Sequence, residues 1–384
     1  MENFYIIKRL ITILRGFQGY FFGVSSLKMP LGVILGFHVL PPFAGLVNHL
    51  SIFTKGKSYF KEITSLFLPL YLMLFLGLFP LFLAKDFEGI VRLLQVFCLT
   101  GFSLFIINLG KRKYEFLKQY SIITTILGIV VLIAEYRFIG HSGEKDLFGY
   151  SVPRYEGIFG ESNYSSLLLL LVFAIHFVQK RLRWAVFTVV LCLPLLSRGM
   201  ALSLFLFVAL YFLERINRRL FYRTILWIFS FLSAAPFLVL FINNQFNPQT
   251  FEFIERLSAG RFYLWLPYIE MGLDNILGVG FFNGETFYPK YLNSHLEVVD
   301  NIRGHQINQQ HSLFIQIFSE FGPVGYLLFI WQLFKIVKLG CHHHFALCLF
   351  SSMILGFSFL NGLTDFNLFF AIALCVGSFK EASS

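Results

Sequence analysis

The sequence predicts an all-α integral membrane protein of about twelve transmembrane helices, with one large outer loop, itself helical, between the ninth and tenth. Three observations carry that reading. Hydrophobic residues make up 57% of the 384 and charged residues only 14%, with a mean hydropathy of +0.70. A water-soluble domain must keep a charged exterior, so this balance calls for lipid as the solvent. Apolar runs near the roughly 20 residues that a spanning helix needs recur along the chain. Basic residues gather in every second connection between those runs.

In chain order the runs fall at about 16–28, 31–53, 63–84, 90–108, 119–137, 164–179, 184–197, 199–213, 223–243, 312–334, 345–361 and 366–379. With the N-terminus placed in the cytoplasm, the inner connections hold clusters such as Lys55, Lys57 and Lys61, then Lys111, Arg112 and Lys113, then Arg215, Arg218 and Arg219. In all they carry 20 basic residues against 5 acidic ones, a balance of +15. The remaining segments carry 11 against 16, a balance of −5. That asymmetry is the positive-inside pattern, with both termini cytoplasmic. It makes the net +10 a record of topology and removes nucleic acid as the expected partner. The chain then divides into residues 1–243 with nine helices, 244–311 as the outer loop, and 312–384 with three helices, within one structural domain. No cleavable signal pattern with a small-residue cleavage site follows the first apolar run, which is expected to act as an uncleaved anchor.

The five cysteines, Cys98, Cys192, Cys341, Cys348 and Cys375, lack metal-ligand spacing. His342-His343-His344 falls in an inner connection, where a basic loop is the simpler reading than a metal site. Gly278-x-Gly280 lacks the preceding strand and third glycine of a dinucleotide site. No phosphate-binding loop or Asp-x-Asp element is visible, so neither a metal nor a cofactor is expected.

Two outer segments are long, from about Phe138 to Asn163 and from about Asn244 to Gln310, and long connections are where function tends to sit. The second begins polar and turns amphipathic through Phe253–Leu273, which predicts helices lying over the membrane surface. It contains Arg261-Phe-Tyr-Leu-Trp265, Gly272 and Asn275-Ile-Leu-Gly-Val-Gly280. His311 then opens a run that ends in Glu320-Phe-Gly322-Pro-Val-Gly325. Earlier come Arg154-Tyr-Glu-Gly157-Ile-Phe-Gly160-Glu-Ser-Asn163 and Ser197-Arg198-Gly199.

In their order and in their side of the membrane, these motifs resemble the O-antigen polymerase and O-antigen ligase superfamily, over roughly residues 150–330. Ser312 departs from the pattern, which often has Asn after the His. The resemblance implies a metal-independent glycosyltransferase of the bacterial inner membrane with a periplasmic active site. Its donor would be an oligosaccharide on undecaprenyl pyrophosphate. The acceptor would be another lipid-linked repeat for a polymerase of O-antigen or capsule, or the lipid A core for a ligase. The lipid bilayer and a chain-length regulator protein are the other partners implied.

Such a reaction has two physical needs. The leaving pyrophosphate must be stabilised, and arginine suits that task because its planar fork stays charged and binds phosphate oxygens in pairs. Arg261, Arg154 and Arg198 are the candidates, with Trp265 beside Arg261 on its helix. A snorkelling side chain at a tight hairpin is the plainer account of Arg198. The acceptor hydroxyl must also be oriented and deprotonated, and His311 could take its proton near neutral pH. Glu320 is expected inside the membrane helix, more than two turns below His311, where a carboxylate is costly and is either functional or paired. Asp365, in the last outer turn, is a glycan-binding candidate by location. A flippase for the same lipid-linked sugars is the reading from a different class. The sequence shows no pair of corresponding Gly/Pro-broken helices in two halves that would support it.

Overall fold

The computed structural model describes residues 40–50, 52–84, 86–109, 112–140, 143–147, 150–157, 162–245, 261–292, 311–341, 343–360 and 363–376. The expected helix at 16–28 and the start of 31–53 lie outside them, as do parts of the expected outer loop at 246–260 and 293–310.

Among the described residues the chain is an all-α bundle with one small hairpin. The short helix α1 (Leu40–Leu50) lies on α3 (Phe87–Ile107). The Asn48 amide donates to Gly101 O at 3.1 Å, and His49 Nε2 sits 3.1 Å from both Phe97 O and Thr100 Oγ1. Inter-helix polar contacts of this kind hold helices together where lipid offers no hydrophobic gain. Between them in sequence, α2 (Ile52–Ala84) is a 33-residue helix. Asp86 then caps α3 by accepting the Gly89 N–H at 3.1 Å. The next helix, α4 (Lys113–Ala134), ends in a π turn over Glu135–Ile139. An antiparallel hairpin follows, β1 (Gly143–Leu147) against β2 (Tyr150–Arg154), which the hydropathy pattern does not anticipate.

Next come α5 (Ser162–Val178), α6 (Leu182–Cys192) and α7 (Arg198–Ile216). The pair α8 (Arg218–Ser233) and α9 (Ala235–Gln245) is bent by 57°. After these stand α10 (Arg261–Asp274), α11 (Gly284–Leu292), α12 (Leu313–Gly340), α13 (His344–Phe357) and α14 (Phe366–Val376).

Five helices are long and apolar enough to cross a membrane, or six if the bent pair is one span. Twelve spans are therefore not what the described residues show. The physical reason is length. The helices α5, α6, α13 and α14 are apolar but run to 17 residues or fewer. Most residues of α5 and α13 are buried by protein, so they need not meet lipid along a full thickness. Large apolar side chains left exposed on α2, α7 and α8, such as Phe75, Phe82, Phe205 and Trp227, face outward as lipid-contacting groups do.

The helix α12 is the element that differs most from its expectation. Gly322 inside it has φ 66° and ψ −178°, which is not helical, and Pro323 follows. In a straight helix residues fifteen apart are separated by about 22 Å. Yet the Phe314 and Phe329 rings lie 5.9 Å apart between centroids, and Phe318 and Tyr326 lie 5.3 Å apart. The chain therefore folds back on itself at Gly322 into two limbs, 313–321 and 323–340. The turn sits at the α2–α3 end of the bundle, with Phe321 against Gly77. The His311 end points back into the protein, and every residue of the first limb is buried. Glu320 lies beside the turn and His311 at the far end of the limb.

A second correction concerns α10. The part of the amphipathic stretch that is described, from Arg261 on, packs into the bundle. Tyr268, Ile269 and Met271 are fully buried, and Gly272 packs on Phe318 of the first limb. The segment 275–280 closes over the turn of α12 by backbone bonds alone. Val279 N donates to Ser319 O at 3.3 Å, Gly280 N to Glu320 O at 3.0 Å, and Val324 N to Ile276 O at 3.5 Å. These bonds satisfy groups that the broken helix would otherwise leave unpaired. Gly278, with φ 77°, and Gly322 press backbone to backbone, and no side chain fits at either position.

Candidate active site

Two groups of candidate residues emerge. The first is held by α10 and the first limb of α12, which run side by side from the Gly278–Gly322 contact to their N-terminal ends. Arg261 opens α10 and His311 stands two residues before α12. The Arg261 guanidinium carbon lies 5.8 Å from the centre of the Phe359 ring, which follows α13. His311 has a left-handed backbone, φ 47°. That conformation is uncommon for a residue with a side chain and is often found at functional sites. Burial, and then the nearby positive charge of Arg261, lower the imidazole pKa from 6.5 to about 4. His311 is therefore neutral near pH 7, the state in which a ring nitrogen can accept a proton. Trp265 is one turn along from Arg261 and packs half-buried on the core.

The second group joins the hairpin to the starts of α5 and α7. Arg154, at the end of β2, donates from Nε to Leu195 O at 3.4 Å and from Nη2 to Asn163 Oδ1 at 3.3 Å. The Ser197 hydroxyl donates to the same Asn163 oxygen at 2.9 Å and accepts the Met200 N–H at 3.2 Å, which caps α7. Arg198 is the first residue of α7 and its side chain is exposed. Two helix N-termini and two guanidinium groups thus share one end of the bundle, an electrostatic setting that favours an anion.

Glu320 and Asp365 belong to neither group. Glu320 is 2% exposed and accepts from Gln316 Nε2 at 3.2 Å, while its backbone oxygen takes the Gly280 N–H. Asp365 is 5% exposed, and its Oδ1 accepts the Asn367 N–H at 2.8 Å at the start of α14. Its charge reaches Tyr120 on α4. A cleft of about 550 Å³ opens between 79–84 of α2, 274–279 and Phe287, but no candidate residue lines it.

Sequence reasoning passed over three positions. Glu135, 5% exposed at the π turn, accepts the Gly157 N–H with both carboxylate oxygens, at 2.9 and 3.1 Å, and so ties α4 to the chain after the hairpin. A lone acid ending a long apolar run was the available signal. Asn163 was part of a quoted motif without a role of its own. Phe359 is one of 51 phenylalanines and gave no signal.

Residues 185–330 match the family model described as O-antigen ligase. The match covers less than half of the chain, and over that stretch the chain is similar to the O-antigen ligase family. The O-antigen ligase match contains Arg198, Arg261, Trp265, His311 and Glu320, whereas Arg154 and Asp365 lie outside it. No match to a curated protein or to a solved structure was found. The long apolar helices and the resemblance of residues 185–330 to the O-antigen ligase family together indicate a membrane protein.

Proposed function

We propose that this protein transfers a glycan from undecaprenyl pyrophosphate to an acceptor hydroxyl on the periplasmic face of the inner membrane, with a second lipid-linked repeat unit as acceptor. The pairing of Arg261 with His311 carries the reading. A fixed cation for the leaving group stands beside a neutral base for the attacking one. The acceptor oxygen bonds to the anomeric carbon of the donor sugar as its proton passes to His311. The bond from that carbon to the pyrophosphate oxygen breaks, and the lipid pyrophosphate leaves with the electron pair. Arg261 binds the developing anion, which partly cancels the positive field on His311 and raises its basicity during the reaction. Arg154 and Arg198 attract the rest of the anionic headgroup, and Trp265 offers an apolar face to a sugar ring.

The description of the matched family supports a second reading, in which the acceptor is a lipid A core and the protein is a ligase. Purified protein in nanodiscs, given undecaprenyl-pyrophosphate repeat unit alone, should build a ladder of longer lipid-linked chains. His311→Ala and Arg261→Ala should each cut the rate at least about a hundredfold while staying folded. A product that forms only when lipid A core is added identifies a ligase. No product with either acceptor, or full activity in both variants, refutes the proposal.

A further inference from the structure

Beside Asp365, α14 carries a polar group that the core does not account for. Asn367 is completely buried, and neither its Oδ1 nor its Nδ2 has a hydrogen-bond partner. An unpaired buried amide is costly, and buried polar atoms in folded proteins nearly always bond to protein or to ordered water. The surroundings of this amide are polar as well. Phe370, three residues on and so on the same face of α14, packs its ring on Tyr120 at 4.9 Å, on Phe102 at 5.9 Å and on Phe116 at 6.2 Å. Asn367 therefore faces the seam between α3 and α4, one turn from Phe370. The charge of Asp365, two residues before Asn367, reaches Tyr120, and Thr124 lies one turn along α4 from Tyr120.

Thr124 is fully buried, and the Tyr120 hydroxyl is its side-chain hydrogen-bond partner. Tyr120 is fully buried too, and the field of the Asp365 carboxylate reaches its hydroxyl. Four polar side chains from two helices thus converge inside the bundle, and the direct bonds among them leave donors and acceptors over.

We propose that Asn367, Asp365, Tyr120 and Thr124 line an internal water site in the core of the bundle, whose water bridges the Asn367 amide to the Thr124 and Tyr120 hydroxyls. Water fits the donor set because the amide needs both an acceptor and a donor opposite it, and the hydroxyls can supply either. A metal ion fits less well, since the amide nitrogen would face it with its hydrogens. The site is independent of the transfer reaction.

The sign of one substitution tests it. Asn367→Leu removes two unpaired polar atoms if the seam is dry, and the melting temperature of the protein in nanodiscs should then rise or stay level. With bridging water the same change strands the Thr124 and Tyr120 hydroxyls, and the melting temperature falls by several degrees. Thr124→Val and the double variant complete a cycle, in which shared water makes the two losses less than additive. A fall for Asn367→Leu together with sub-additivity is the expected result, whereas a rise, no change or strict additivity overturns the proposal. Should Asn367→Leu fail to fold, the wild-type structure at water-resolving resolution decides. Density between the Asn367 amide and Thr124 supports the site, and a dry seam there refutes it.

Discussion

Gly278→Ala is the sharpest test of how the candidate site is held together. A Cβ at Gly278 would meet the backbone of α12, with Phe321 N at 2.5 Å and Glu320 O nearer still. These are backbone atoms in a buried turn and cannot swing aside. The φ of 77° adds roughly 1–2 kcal/mol for any residue with a side chain. Relieving the clash means lifting 278–280 away from α12, which lengthens the bonds from Val279 N to Ser319 O and from Gly280 N to Glu320 O, worth about 1 kcal/mol each. The total is about 3–4 kcal/mol, which in a chain of this size should lower the melting temperature by roughly 4–5 °C. Gly199→Ala is the control, because the nearest atom to its Cβ is Ser197 Oγ at 4.0 Å. Thermal unfolding of both variants in nanodiscs is the assay. If Gly278→Ala melts within a degree of Gly199→Ala and wild type, 275–280 does not pack on α12 as described.

Two further predictions follow from the candidate residues. Below its unfolded pKa of 6.5 the unfolded chain takes up a proton on His311, whereas the folded protein does so only near 4. Folding stability should therefore decline as pH falls from 6.5 to 4, and His311→Gln should flatten that slope in melting curves recorded across the interval. Arg261→Gln should flatten it in part, by removing the positive charge that helps to lower the pKa, and an unchanged slope in both variants would refute the assignment. At the π turn, Glu135→Gln replaces one of two acceptor oxygens with a donor facing the Gly157 N–H, at a cost of about 1–3 kcal/mol. Limited proteolysis should then cut the hairpin between α4 and α5 faster than in wild type, and an equal rate would show that Glu135 does not anchor it.

What could be seen beforehand depended on which physical signal each element carries. Hydropathy locates α2, α3 and α7 because a lipid-facing helix must be apolar along most of its length. It cannot distinguish a spanning helix from a buried one, so α13 and α14 looked like spans although they are only 14 and 11 residues long. The reversal at Gly322 was also hidden. A Gly-Pro pair in an apolar run is compatible with a kink in a continuous helix, and only the contacts of Phe314 and Phe318 show that the limbs double back. Arg261 and His311 stood out because charge is expensive in an apolar chain. Phe359, which lies against the Arg261 guanidinium, did not, because one more phenylalanine costs nothing there.

The glycine motifs and the charged residues then fall into separate roles. From the Gly278–Gly322 contact to Arg261 is about 20 Å along α10, and to His311 about 15 Å along the first limb. The contact at Gly278 and Gly322 is a fixed point from which both are aimed. A rotation of about 10° between the helices at that point would move Arg261 relative to His311 by about 3 Å, and a misplacement of even 1 Å can cost about a hundredfold in rate. Backbone pressed on backbone is the stiffest joint available for the purpose, since it has no rotamers to relax. The Gly-x-Gly and Glu-x-Gly-Pro stretches thereby set the distance between Arg261 and His311.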